Sequence, residues 1–220
     1  MSIARCRAEQ AEAAAYLAVH PGDFGASLGR EDWLKEELEI MSGLPKPYYS
    51  EPGIQIFLGD CRDILPLLPK VDLVLTDPPY GHGDKWSGGT WGAASMYAVD
   101  AKRWDAEPVS PDLLSAAILC GHHSIVWGGN YFGLSPSRCW LAWEKSSKME
   151  TLADFELAWT NMDRPAKMYR EDRNPDGKRY HPTQKPLNLF VWCLKFLPDA
   201  ALILDPFMGS GTTLVAAKQL

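Results

Sequence analysis

Asp77-Pro78-Pro79-Tyr80 is the stretch of the chain with the most explicit chemistry. Two consecutive prolines fix the backbone and remove two N–H donors. Their carbonyls stay free to accept hydrogen bonds, beside a carboxylate and an aromatic face. Together these form an acceptor set for a planar amino group, with a ring to stack against it. An ordinary Pro-Pro turn is the bland alternative. The apolar run before it, 71–75 (VDLVL), has the composition of a strand buried on both faces. Asp77 therefore lies just beyond a strand's carboxyl end. Asp60, after 54–58, and Asp205, after 202–204, fall at the same kind of place. In open α/β sheets that edge is where ligands sit.

Asp205 opens DPFMGSGTT (205–213). Gly209 and Gly211 let the backbone approach a ligand closely, and the helix that follows offers free N–H groups. A phosphate-binding loop needs Gly-Lys-Ser/Thr here. Thr212 follows Gly211 instead, the next lysine is Lys218, and GxGxxG spacing is absent. The turn points to a ligand other than a nucleoside triphosphate. A plain strand-to-helix connection uses the same glycines.

These residues need elements to position them. The chain has 220 residues, 46% hydrophobic and 23% charged, which excludes a disordered or fibrous protein. It contains no run of about 18 apolar residues, so no membrane span is expected. Residues 1–46 read as a helical extension, with an Ala-rich helix over 8–18 and a second over 30–41, followed by a Pro-rich linker at 44–47. From 47 onward short β-like runs alternate with helical ones. Strands are expected at 54–58, 71–75, 124–127, 140–143, 155–159 and 202–204. Helices are expected at 63–68, 111–120, 187–196 and 213–220. The Gly-, Trp- and Ser-rich segment 82–95 reads as a mobile loop. Alternation of this kind implies an α/β fold with a mostly parallel sheet. The five cysteines are scattered, without metal-ligand spacing, and fit a reduced interior. His122 and His123 lack a companion ligand.

Charge is unevenly spread. Net charge is −6, yet residues 164–185 hold seven basic residues against three acidic ones. That segment is +4 and the rest −10. A basic loop on an acidic body suits a protein that grips nucleic acid at one place; a solvated charged loop has the same composition.

Five motifs in order now make a pattern: GDCRDIL (59–65), TDPPYG (76–81), WGGNY (127–131), HPTQKP (181–186) and DPFMGSGTT (205–213). The chain resembles the S-adenosylmethionine-dependent DNA amino-methyltransferases of the N6-adenine/N4-cytosine type over about 47–220. The order, DPPY before the glycine turn, is similar to that of the beta class. The resemblance implies a Rossmann-like class I methyltransferase domain over 47–220, with target recognition within 82–107 and 144–180. It implies that Asp77, Pro78, Pro79 and Tyr80 are catalytic. It implies that Asp205, Phe207, Gly209, Ser210, Gly211 and Thr212 hold the methionine part of the cofactor, that Asp60 and Cys61 lie beside its adenine, and that His181, Thr183 and Lys185 lie near its carboxylate end. Lys85, Arg103, Arg164, Lys167, Arg170, Arg173, Lys178 and Arg179 are the expected DNA contacts.

An exocyclic amine is a poor nucleophile because its lone pair is delocalised into the ring. Asp77 and the Pro78 carbonyl would accept its two N–H groups and localise that pair. A base inside a duplex cannot reach such a pocket and must be flipped out. Asp at position 77 leans towards adenine N6. N4 of cytosine, an RNA or protein amide nitrogen, and a catalytically idle remnant are the alternatives. The family continues past the glycine turn into another strand, with an acidic residue for the cofactor's ribose. This chain stops at Leu220, so an exposed sheet edge is expected there. The partners implied are double-stranded DNA and no membrane, in a cytoplasmic setting in a bacterium, an archaeon or a phage. A homodimer and a cognate restriction endonuclease are compatible with the family.

Overall fold

The computed structural model describes the backbone of residues 13–18, and residues 44–82, 105–148, 153–175, 177 and 184–220 in full. Its strands are β1 (Ala13–Ala18), β2 (Tyr49–Glu51), β3 (Ile54–Leu58), β4 (Val71–Thr76), β5 (Gly121–Trp127), β6 (Trp140–Lys145), β7 (Phe155–Thr160), β8 (Lys167–Glu171) and β9 (Leu202–Asp205). The α-helices are α1 (Cys61–Ile64), α2 (Pro111–Cys120), α3 (Leu187–Leu194) and α4 (Thr212–Lys218).

The strands form one sheet in the order β2-β3-β1-β9-β4-β5-β7-β6-β8. β4 lies between β9 and β5, parallel to both. Following the pairings outward, β3, β6 and β8 run the same way, and β1, β2 and β7 run opposite. Six of nine described strands thus share one direction, and the sheet is mostly parallel, as expected.

The apolar run of β4 is explained by its place in the middle. Leu73 and Leu75 join Ile125, Trp127 and Ile203 on one face, packed under α3 and α4 through Leu189, Phe190, Cys193, Leu214 and Ala217. Val74 joins Val126 and Leu204 on the other, under α1 and α2 through Cys61, Ile64, Leu113, Leu114 and Ala117. Both faces are covered, so alternate residues of one strand are equally apolar. Helix α2 starts where Ser110 Oγ accepts from Leu113 N and proline takes the first position. The helix expected at 63–68 is instead α1 followed by a 3-10 turn, Leu65–Leu67, with Pro66 in its first turn.

Three expectations need correction. Residues 13–18 are a strand, where a helix was expected over 8–18. β1 pairs antiparallel with β3 and with β9, so its backbone groups are satisfied on both sides. Helix propensity is a weak preference that such pairing overrides. The same strand closes the edge of β9, through Ala15↔Asp205 to Ala18↔Leu202, where an exposed edge was expected. Within the basic segment, residues 167–171 form β8, at the end of the sheet beside β6, rather than a loop. The helix expected at 30–41 and the loop residues 83–95 lie outside the described residues. Among the described residues no helix is long and apolar enough to cross a membrane.

Candidate active site

The parallel pairing of β4 with β9 sets Leu73 opposite Ile203 and Val74 opposite Leu204. The strands therefore end side by side, and residues 129 or 130 positions apart in the chain become neighbours. Thr76 Oγ1 donates to Asp205 Oδ1 at 2.8 Å. The next residue, Asp77, begins the Pro-Pro turn.

That turn is held from below. The buried carboxylate of Asp105 accepts from Tyr80 N at 2.8 Å, Gly81 N at 3.0 Å and His82 N at 3.2 Å. The Pro79 carbonyl accepts from Val109 N at 3.1 Å. No described residue donates to the Pro78 carbonyl. The Tyr80 ring rests against Gly128, where a Cβ would come within 2.1 Å of Tyr80 Cε1; Gly128 also has a φ of +69°. Tyr131 and His82 flank the same ring, at 5.1 and 5.8 Å between centroids.

Asp77 is ion-paired. Tyr80 Oη donates to its Oδ1. Lys185 Nζ donates to its Oδ2 at 2.5 Å and to Tyr80 Oη at 3.0 Å. Lys185 also lies 3.5 Å from Glu156 Oε2, whose other oxygen is 2.6 Å from Lys145 Nζ. Two carboxylates and two ammonium groups thus form a compact, charge-balanced quartet. Burial pushes the Asp77 carboxyl up, against the pull of Lys185 and the Tyr80 hydroxyl. Burial pulls Lys185 down, but Asp77 and Glu156 more than offset it, so its ammonium is held above the ordinary lysine value. Burial also opposes ionisation of Glu156, yet Lys185 and Lys145 keep it below the usual carboxylate range. Tyr80 is raised by burial and by the carboxylates beside it, so its hydroxyl keeps its proton.

Asp205 is held differently. Its Oδ1 accepts from Thr76 Oγ1 and from Phe207 N at 3.1 Å, and its Oδ2 from Thr213 Oγ1 at 2.5 Å. Burial raises it to about 6, against those hydrogen bonds. Beyond it, Gly209 and Gly211 have φ of +51° and +80°, and Ser210 Oγ is 3.2 Å from Thr212 Oγ1.

The structure brings Asp77, Pro78, Pro79, Tyr80, Lys185 and the 205–213 turn to one edge. Lys185, expected near a cofactor's carboxylate end, is on Asp77. Asp60 lies at the same edge but two strands from Asp205, since β3 and β9 are parallel with β1 between them. It caps α1 and pairs with Arg62, which lowers it. Cys61 is wholly buried in the core under α1. Of the basic residues, Lys167 and Arg170 are exposed on β8, and Arg164 donates to Phe196 O at 2.7 Å and Arg173 to Ala153 O at 3.1 Å. His181, Thr183, Lys85, Arg103, Lys178 and Arg179 lie outside the described residues.

Glu156, Lys145 and Asp105 were not singled out from sequence, and Gly128 and Tyr131 stand in the WGGNY stretch (127–131) without a role assigned to them there. Glu156 and Lys145 left one signal: charged residues placed within or at the end of otherwise apolar strand runs, FELAWT and WLAWEK. Asp105 left none, because 25 residues separate it from the turn it holds.

The family model of the N6_N4 DNA methylases matches residues 122–220. The match covers a little under half of the chain, and over that region the chain is similar to the N6/N4 DNA methylases. It is 22% identical to the Type II methyltransferase M.ScaI of Streptomyces caespitosus, over 82% of this chain and 79% of that protein. It is 50% identical over 46 residues to the Type II methyltransferase M.HindIII of Haemophilus influenzae, which is 20% of this chain and 15% of that relative. The matched region contains Gly128, Glu156, Lys185 and the glycine turn, and the Asp77 motif lies upstream of it.

Proposed function

We propose that the protein transfers a methyl group from S-adenosylmethionine to the exocyclic N6 of adenine in a flipped-out base of double-stranded DNA. The observation that carries this reading is the meeting of two acceptor systems at the ends of adjacent parallel strands, Asp77-Pro78 with Tyr80 and Asp205 with its glycine turn. Asp77 and the open Pro78 carbonyl accept the two N–H groups of the amine. Tyr80, held by Gly128 and by the Asp105 clamp, supplies the stacking face. The protein's share of the catalysis is position and electrostatics.

The cofactor fits the residues present. Asp205 is buried beside a turn whose backbone bends sharply at two glycines, and no described cation neutralises it. Asp205, Phe207 and the segment Gly209 to Thr212 would hold S-adenosylmethionine, which supplies an activated methyl on a sulfonium when bound. Flipping the base costs a few kcal/mol. Lys167 and Arg170, exposed on β8, are available to offset part of it through phosphate contacts.

The test is methyl transfer from labelled S-adenosylmethionine to unmethylated duplex DNA, followed by nucleoside analysis. Label in N6-methyladenine is expected. Label in N4-methylcytosine would keep the mechanism and change the base. No label with any DNA would overturn the reading.

A further inference from the structure

We propose that Glu156 is a positioning residue for Asp77: by sharing Lys185 with it, Glu156 sets how firmly the lysine holds the carboxylate that receives the base's amine. This rests on the function proposed above.

The geometry is asymmetric. Lys185 Nζ is 2.5 Å from Asp77 and 3.5 Å from Glu156, with Tyr80 Oη at 3.0 Å as a third partner. An ångström of movement trades one carboxylate for the other while Tyr80 keeps its contact. Lys185 is about 5% exposed, so it has no water to move into, and a buried ammonium must stay paired. An amine donating to Asp77 competes with Lys185 for the same oxygens. Glu156 is the place the ammonium goes when it gives way.

Lys145 tunes this exchange from the far side. It is 2.6 Å from Glu156 Oε1 and nearly buried, and it neutralises part of the charge that attracts Lys185. The quartet is enclosed by groups from four places. Asp77 and Tyr80 come from the turn after β4, Lys145 from β6, Glu156 from β7, and Lys185 from the segment before α3. Asp205, at the end of β9, adds a further carboxylate beside Asp77.

Two substitutions should therefore move Asp77 in opposite directions. Glu156→Gln removes the competing carboxylate, tightens Lys185 on Asp77 and makes Asp77 ionise at lower pH. Lys145→Met leaves Glu156 more negative, draws Lys185 away and makes Asp77 ionise at higher pH. The experiment is a carbon-13 NMR titration of the Asp77 carboxyl in the full chain, assigned by Asp77→Asn, together with the pH profile of methyl transfer. In Glu156→Gln the acidic limb of the rate profile should shift down with Asp77. Its kcat should fall by about ten- to a hundredfold with KM for DNA near wild type. A merely structural glutamate would lower activity without moving the titration. Opposite shifts support the proposal. An unmoved Asp77 in a folded Glu156→Gln, or shifts of the same sign, overturn it. If Glu156→Gln does not fold, Lys145→Met decides alone, an upward shift supporting the proposal and no shift overturning it. The titration needs no turnover, so an inactive wild type would sink the proposed function without deciding this inference.

Discussion

Asp77 and Asp205 stand at the ends of neighbouring parallel strands, the first partly and the second almost wholly buried, and the protein treats them in opposite ways. Asp77 is matched by a lysine that is itself shared with a second carboxylate. Asp205 has two hydroxyls and one backbone N–H, and among the described residues no cation. The Asp77 arrangement balances a negative charge with a lysine and aims it, although burial still raises its carboxyl. The Asp205 arrangement leaves a charge unbalanced and its carboxyl raised to about 6 by burial. An uncompensated buried carboxylate is costly in the free protein. It becomes favourable when a positively charged ligand arrives. Under the proposed function, the difference suits the neutral amine to one strand end and the cationic cofactor to the other.

Removing Asp77 should break the comparison most completely. Asp77→Ala should lower methyl transfer by on the order of 10³-fold, measured as label in DNA, and leave cofactor binding intact. Gly128→Ala should come next. A methyl there meets the Tyr80 ring at 2.1 Å and strains a positive φ. Activity should fall by about a hundredfold and thermal unfolding should show a loss of about 1–3 kcal/mol.

Asp205 predicts a pH effect. The native state holds this proton up to about 6, against an ordinary 3.8. Between those values the native state binds more protons than the unfolded chain, so stability falls as pH rises through that window. That contribution is complete below about pH 4 and lost above about pH 6, with a size of up to about 3 kcal/mol. Asp205→Asn should flatten this part of the stability curve in denaturant titrations across pH. Cofactor affinity should change the other way, tightening as Asp205 ionises. The smallest effect belongs to β8. Lys167→Ala should weaken DNA binding about equally across sequences and reduce the salt slope by roughly one, while leaving cofactor affinity unchanged.

The sequence showed the strands and the chemistry at their ends because both are local. A buried central strand such as β4 is apolar on every face, and DPPY or a Gly-x-Gly turn is legible as a string. What escaped it was set by partners far along the chain. Ala13–Ala18 reads as helix by composition, and only its pairing with β3 and β9 makes it a strand. Lys167–Glu171 reads as a charged loop until β6 gives it a neighbour. The HPTQKP motif points Lys185 to a cofactor's carboxylate end and gives no sign of its contact with Asp77, 108 residues away in the chain. Glu156 and Lys145 show in the sequence only as charges in apolar strand runs, and they become a site when β6 and β7 bring them to that lysine.

The most direct measurement is calorimetric titration of S-adenosylmethionine into the wild-type chain, Asp77→Asn and Asp205→Asn, with all three shown to be folded. Asp77→Asn should bind the cofactor as the wild type does. Asp205→Asn should bind at least about tenfold more weakly, the loss of one charge-assisted contact. Equal loss in both variants, or no loss in Asp205→Asn, would contradict the division of labour between the two strand ends.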